Sequence, residues 1–112
     1  MKIQEKAVRL SIKLSETEKL DGKALYEVIV LKARDLGIAS ASVYRGIMGY
    51  DTHWQIHSVK LLRLSEDLPI MIELIDTEES IAVIRTFLES VLQTGIVTEE
   101  KITITKYSRH DR

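Results

Sequence analysis

Val8, Leu10, Ile12 and Leu14 alternate with Arg9, Ser11 and Lys13, which puts the apolar side chains on one face of a strand and the polar ones on the other. The period then changes. After Asp21-Gly22, the residues Leu25, Ile29, Ala33 and Leu36 recur at helical spacing, and Ala24, Val28 and Leu31 widen the apolar side, the pattern of a helix half sunk in a core. Asp21 is placed to cap this helix, and Gly37 to end it in the left-handed conformation. Ser40 to Ile47 reads as a second strand, weakened at Gly46 because glycine leaves a strand interior without a side chain to pack. Pro69 opens the run Ile70-Met71-Ile72-Glu73-Leu74-Ile75, at the strand position that tolerates proline best. This third strand is apolar on both sides and is therefore expected inside the sheet.

A second helix follows. Asp76 and Glu79 fit a capping box, Ile81, Ile84, Leu88 and Val91 form its apolar stripe, and Gly95 marks its stop. Ile102 and Ile104 alternate with Thr103, Thr105 and Tyr107 in a last strand, and residues 108–112 form a polar tail. The order strand, helix, strand, strand, helix, strand predicts an α+β, ferredoxin-like βαββαβ fold. Right-handed crossovers place both helices on one face of a four-stranded antiparallel sheet. Met71 and Ile75 then point to the uncovered face, and an exposed apolar patch there predicts a homo-oligomer whose sheets pack together.

Composition fits one ordered domain over residues 1–112, with 45% hydrophobic and 29% charged residues in 112. Cysteine is absent, which excludes disulfides and thiolate metal sites and makes the cytoplasm the default compartment. No run approaches the ~20 apolar residues of a membrane span, so direct membrane insertion is not expected. A net charge of −1, from 16 basic and 17 acidic residues, lacks the electrostatic footprint of a nucleic-acid binder. Arg45-Gly46 faintly echoes an RNA-recognition motif, but Ile47 and Met48 stand where stacking aromatics belong.

The second and third strands are joined by a long connection, about residues 46–60, bordered by glycine and followed by His57 to Leu64, a segment able to form a second ribbon arm. A connection of that length in a compact chain points to function. Within it His53 and His57 are four apart, a spacing that on a helix would offer two imidazoles to a transition metal. A third ligand is not evident, so a metal-binding or metal-responsive protein is the alternative reading. Trp54, the single tryptophan, is suited to packing or to a partner contact. Ser65, Glu66 and Asp67 precede Pro69 without any histidine tied to the serine, which favours a turn over catalysis. No enzyme activity is expected.

Four blocks in order, Gly22-Lys23-Ala24-Leu25-Tyr26-Glu27, Ala33-Arg34-Asp35-Leu36-Gly37, Arg45-Gly46-Ile47-Met48-Gly49-Tyr50 and Leu62-Arg63-Leu64-Ser65-Glu66-Asp67-Leu68-Pro69, resemble the bacterial and archaeal PII-like family called domain of unknown function one-ninety. The resemblance covers nearly the whole chain. It implies a ferredoxin-like fold and a homotrimer related to the PII nitrogen-signalling proteins. In that superfamily adenine nucleotides sit in clefts between subunits, lined by the base of the loop after strand two and by the turn between helix two and strand four. Here the second segment is Thr94-Gly95-Ile96-Val97-Thr98-Glu99-Glu100-Lys101-Ile102, similar to the PII pattern of Thr-Gly followed by Lys-Ile, although Glu99 and Glu100 replace further glycines.

On that resemblance the candidate ligand residues are Arg45, Gly46, Gly49, Gly95 and Lys101. Glycine lets backbone approach an anion closely, and Arg or Lys supplies charge-assisted hydrogen bonds. The resemblance thus implies a cytoplasmic signalling protein that binds a small anion, an adenine nucleotide being the candidate, between subunits. It would regulate an unidentified partner through the long loop, with a membrane transporter or channel among the candidates. The alternative is a metal-binding trimer using His53 and His57, as the related copper-tolerance proteins suggest, without catalysis.

Overall fold

The alternation around Leu10 belongs to a strand longer than the apolar pattern alone marks out. The computed structural model describes residues 1–50 and 68–109. In it β1 runs over Lys2–Ser15, followed by a small hairpin of β2 (Lys19–Leu20) and β3 (Lys23–Ala24), then α1 (Leu25–Asp35) and β4 (Ser40–Arg45). After the connection come β5 (Pro69–Asp76), α2 (Glu78–Val91) and β6 (Ile96–Tyr107). The sheet order β4-β5-β1-β6 is antiparallel throughout, and with α1 and α2 packed on one face it is the expected ferredoxin-like arrangement.

Register explains the core. Leu10 pairs with Leu74, Ile12 with Ile72 and Leu14 with Ile70, and directly opposed residues share a face. These six side chains are almost wholly buried beneath Leu25, Ile29 and Ala33 of α1 and Ile81, Ile84 and Leu88 of α2. Each such burial is worth roughly 1.5–3 kcal/mol of transfer free energy. β5 lies between β4 and β1, the interior place its apolar run predicts.

Three expectations need correction. Asp21 does not cap α1. Asp21 and Gly22, at φ 52° and 81°, form the two-residue turn between Leu20 and Lys23, a conformation that Asp-Gly pairs supply cheaply. The helix starts after Ala24 without a side-chain cap, and the Glu18 carbonyl accepts from the Leu25 N–H at 2.8 Å instead. Its end is as expected: Gly37 at φ 77° donates to the Arg34 carbonyl at 3.0 Å and Ile38 to Ala33 at 3.0 Å, the paired bonds of a Schellman motif.

The capping box of α2 is also displaced. Thr77 is the N-cap and its hydroxyl accepts from the Ser80 N–H at 3.3 Å. Asp76 is buried, and its carboxylate accepts from the Thr77 N–H at 2.7 Å and the Ala39 N–H at 3.0 Å. A carboxylate at the end of a central strand satisfies two backbone donors at once, one of them from the loop entering β4.

The third correction concerns the open sheet face. It is not a continuous apolar patch, because Arg9, Ser11 and Lys13 of β1 lie beside Glu73 of β5 and Thr98 and Glu100 of β6, and Arg9 pairs with Glu100 at 3.1 Å. In the four-stranded part its exposed apolar residues, Tyr44, Met71 and Ile96, lie in one row with Lys13 at one end of the sheet. Lys2–Ala7 and Ile102–Tyr107 pair with each other beyond the end of β5, a ribbon that at about 3.4 Å per residue projects well past the sheet. Ile3, Ala7, Ile102 and Ile104 share one of its faces with the Glu5–Lys106 ion pair at 3.4 Å, and Lys2, Gln4, Lys6, Thr103, Thr105 and Tyr107 share the other. A two-stranded ribbon is marginal by itself in water, and this one projects with no third strand beside it among the described residues.

Candidate functional site

β4 ends where glycine meets proline. Gly46 donates its N–H to the Pro69 carbonyl at 2.8 Å, and a Cβ on Gly46 would stand 2.7 Å from Pro69 Cγ. Gly49 faces the same ring, with Pro69 Cγ at 3.1 Å from its would-be Cβ. The expected strand to Ile47 therefore stops at Arg45, because only a chain without side chains at 46 and 49 folds over the proline that begins β5. Beyond this turn Ile47, Met48 and Tyr50 are highly exposed.

One cross-strand row links this turn to the rest of the sheet end. Tyr44 pairs with Met71, Met71 with Lys13, and Lys13 with Ile96. Lys13 Nζ donates to the Tyr50 carbonyl at 3.0 Å. On its other side the Lys13 carbonyl oxygen would lie 2.6 Å from a Cβ on Gly95, whose φ is 109°. Arg45 points to the helix-bearing face, level with Ile70 and Leu14, and its guanidinium pairs with the Glu16 carboxylate. The Glu16 N–H in turn donates to the Leu68 carbonyl at 2.9 Å.

The structure thus gathers four of the five candidate ligand residues, Arg45, Gly46, Gly49 and Gly95, at one end of the sheet. It adds two that sequence reasoning did not select, Lys13 and Glu16. Lys13 reads in the sequence only as one of several polar residues on a strand, and Glu16 only as part of a polar turn. Neither has a motif. Their roles come from the register of β1 against its neighbours. Chemically, Arg45 offers planar donors to an oxyanion on the helix-bearing face, Lys13 a point charge on the opposite face, and the glycines close approach. The Gly46 N–H is already engaged by Pro69, so Gly46 contributes space rather than a donor.

Lys101 is elsewhere. It pairs with Val8, which also pairs with Asp76 at the far end of β5. There it lines a cavity of about 550 Å³ with Lys6, Val8, Thr103 and Glu78 at the start of α2. Glu99 is bound by Arg85 at 2.5 Å, and Arg85 also reaches Glu78 at 3.2 Å. These two carboxylates raise the guanidinium pKa above its ordinary value. Glu99 therefore serves to tie β6 to α2.

His53, His57 and Trp54, with the suggested ribbon arm at 57–64, lie outside the described residues. So do Ser65, Glu66 and Asp67. Among the described residues no group of three or more His, Asp or Glu side chains is positioned to hold a metal, and no helix is long and apolar enough to cross a membrane.

The fold and sequence have clear relatives. The chain is 35% identical over 97 residues to the UPF0166 protein of Aquifex aeolicus, covering 85% of this chain and 90% of the relative. It superposes on the apo form of CPII from Thiomonas intermedia K12, described as a nitrogen regulatory PII-like protein, with a TM-score of 0.63 at 14% identity, covering 96% of this chain and all of that one. CPII bound to ADP and bicarbonate matches with a TM-score of 0.65 at 18% identity over 91% of each chain. At these identities the likeness establishes a PII-like fold. A family model described as DUF190, Uncharacterized ACR, COG1993, matches residues 7–104, and with the relative from Aquifex aeolicus it shows that the chain belongs to this DUF190 family.

Proposed function

We propose that this chain is a PII-like sensor that binds a small anionic ligand, an adenine nucleotide being the first candidate, between copies of itself and regulates a partner through the connection between β4 and β5. The observation that carries this reading is the placement of Arg45 and three glycines at one end of the sheet, Arg45 on the helix-bearing face. Lys101 stands at the opposite end of the same chain. A ligand that touches both sets would therefore bridge two copies, which is the arrangement of a site at a seam. Two further observations support it. The ribbon of Lys2–Ala7 and Ile102–Tyr107 projects with no third strand beside it among the described residues, a segment that a second copy would cover in a homotrimer, and CPII, which shares the fold, is described with ADP bound. A ligand changes the state of such a protein only through different affinities for its states, so the proposed role needs the anion to contact the base of the connection.

Calorimetric titration with ADP, ATP and AMP tests the reading. Heat of binding for at least one nucleotide, lost in Arg45→Ala and undiminished by His57→Ala, with the nucleotide recovered unchanged afterwards, is the expected result. Absence of heat with all three nucleotides, or a stable single-copy species by sedimentation at micromolar concentration, overturns it.

A further inference from the structure

The Arg45 guanidinium already holds an anion of the protein's own. We infer that Glu16 is an internal counter-anion, a carboxylate that a bound ligand must displace from Arg45, and that it thereby weakens anion binding there. This rests on Arg45 being a ligand residue, as proposed above.

The two partners are held very differently. Glu16 is pinned through its backbone: its N–H donates to the Leu68 carbonyl at 2.9 Å, and the Glu18 N–H closes the turn onto the Ser15 carbonyl at 3.1 Å. Inside that turn the Thr17 N–H donates to Ser15 Oγ at 3.1 Å, and Ser15 and Thr17 exchange a hydroxyl hydrogen bond at 2.8 Å. Arg45 is the last residue of β4, on the edge of the sheet. Its side chain is 57% exposed against 23% for Glu16. An anchored carboxylate thus faces a long cation that solvent can still reach.

Carboxylate and phosphate both engage a guanidinium fork, and Glu16 already takes the Arg45 Nη2 that a ligand would use. An ion pair this open is weak and yields to a stronger anion. The exchange is not neutral. Once displaced, Glu16 keeps its charge nearby and repels the ligand that replaces it. Glu16 therefore weakens the binding of an anion at Arg45, a polyphosphate included.

The test is a double-mutant cycle on the full chain, titrated with ADP and with inorganic pyrophosphate. Glu16→Gln is expected to tighten both by roughly two- to tenfold, the scale set by losing an exposed ion pair and one repelling charge, and this gain is expected to vanish in the Arg45→Gln background. Far-UV circular dichroism and melting confirm that each variant is folded. If Glu16→Gln leaves the affinities unchanged or weaker while Arg45→Gln lowers them, the inference about Glu16 is wrong and the ligand reading stands. If the gain persists without Arg45, Glu16 does not act through that residue and the inference is also wrong. If neither anion binds any variant, both readings fall.

Discussion

Gly95 sits directly against the backbone carbonyl of Lys13: a Cβ at Gly95 would be 2.6 Å from that oxygen, at a φ of 109°. The turn after α2 and the strand that carries Lys13 are thus in contact through backbone alone, and no residue with a side chain fits between them. Gly95→Ala combines backbone strain with a collision and is expected to cost about 2–4 kcal/mol. Gly37, at φ 77° with nothing near its would-be Cβ, is the control, and Gly37→Ala should cost only ~1 kcal/mol. Urea unfolding of both variants checks the difference, and equal losses would contradict the close approach.

The base of the long connection makes a different prediction. Gly46 has no left-handed φ, so the obstacle to a side chain there is the Pro69 ring, 2.7 Å from the would-be Cβ. Gly46→Ala should destabilise by about 1–3 kcal/mol. Removing the ring with Pro69→Ala in the same chain should recover part of that loss, giving a non-additive pair. Simple additivity of the two measured changes would show that the contact is not the cause.

Asp76 ties two elements by accepting from the N–H groups of Ala39 and Thr77. Asp76→Ala leaves both donors without this acceptor and is expected to cost about 2–3 kcal/mol, whereas Asp76→Asn, which keeps an acceptor oxygen, should cost less. Hydrogen exchange at the Ala39 amide should speed up in the alanine variant. Unchanged protection there would remove the carboxylate from the account.

Assembly can be probed on the ribbon without touching the proposed ligand residues. Ile104 shares a face of the ribbon with Ile3, Ala7, Ile102 and the Glu5–Lys106 ion pair and is only half-buried in the single chain. Ile104→Glu should shift sedimentation toward the single-copy species by at least tenfold in dissociation constant, with the circular dichroism of the folded chain retained. A change on the other face, Thr105→Glu, should do much less. Equal effects would mean that the isoleucine face is not the surface covered.

Much of this protein was readable in order along the chain. Periods of two and of 3.6 separate strands from helices because a strand or a helix half-immersed in a core has no other way to sort its side chains, and so the ferredoxin-like order, the strand opening at Pro69 and the glycine end of α1 follow from local pattern. The caps did not, because Asp21 and Asp76 each had a local role available and the competing one was tertiary: a hairpin turn needing positive φ in one case, a distant amide on Ala39 in the other. The ribbon was hidden for a related reason, since Lys2–Lys6 carries little apolar signal and becomes a strand only by pairing with Ile102–Tyr107. At the candidate site, Arg45, Gly46, Gly49 and Gly95 could be named from their blocks, but Lys13 and Glu16 could not, and Lys101 proved to lie at the other end of the sheet. Residue type is a property of the sequence; which residues meet depends on strand register, and register is decided only when all four strands bury one common face.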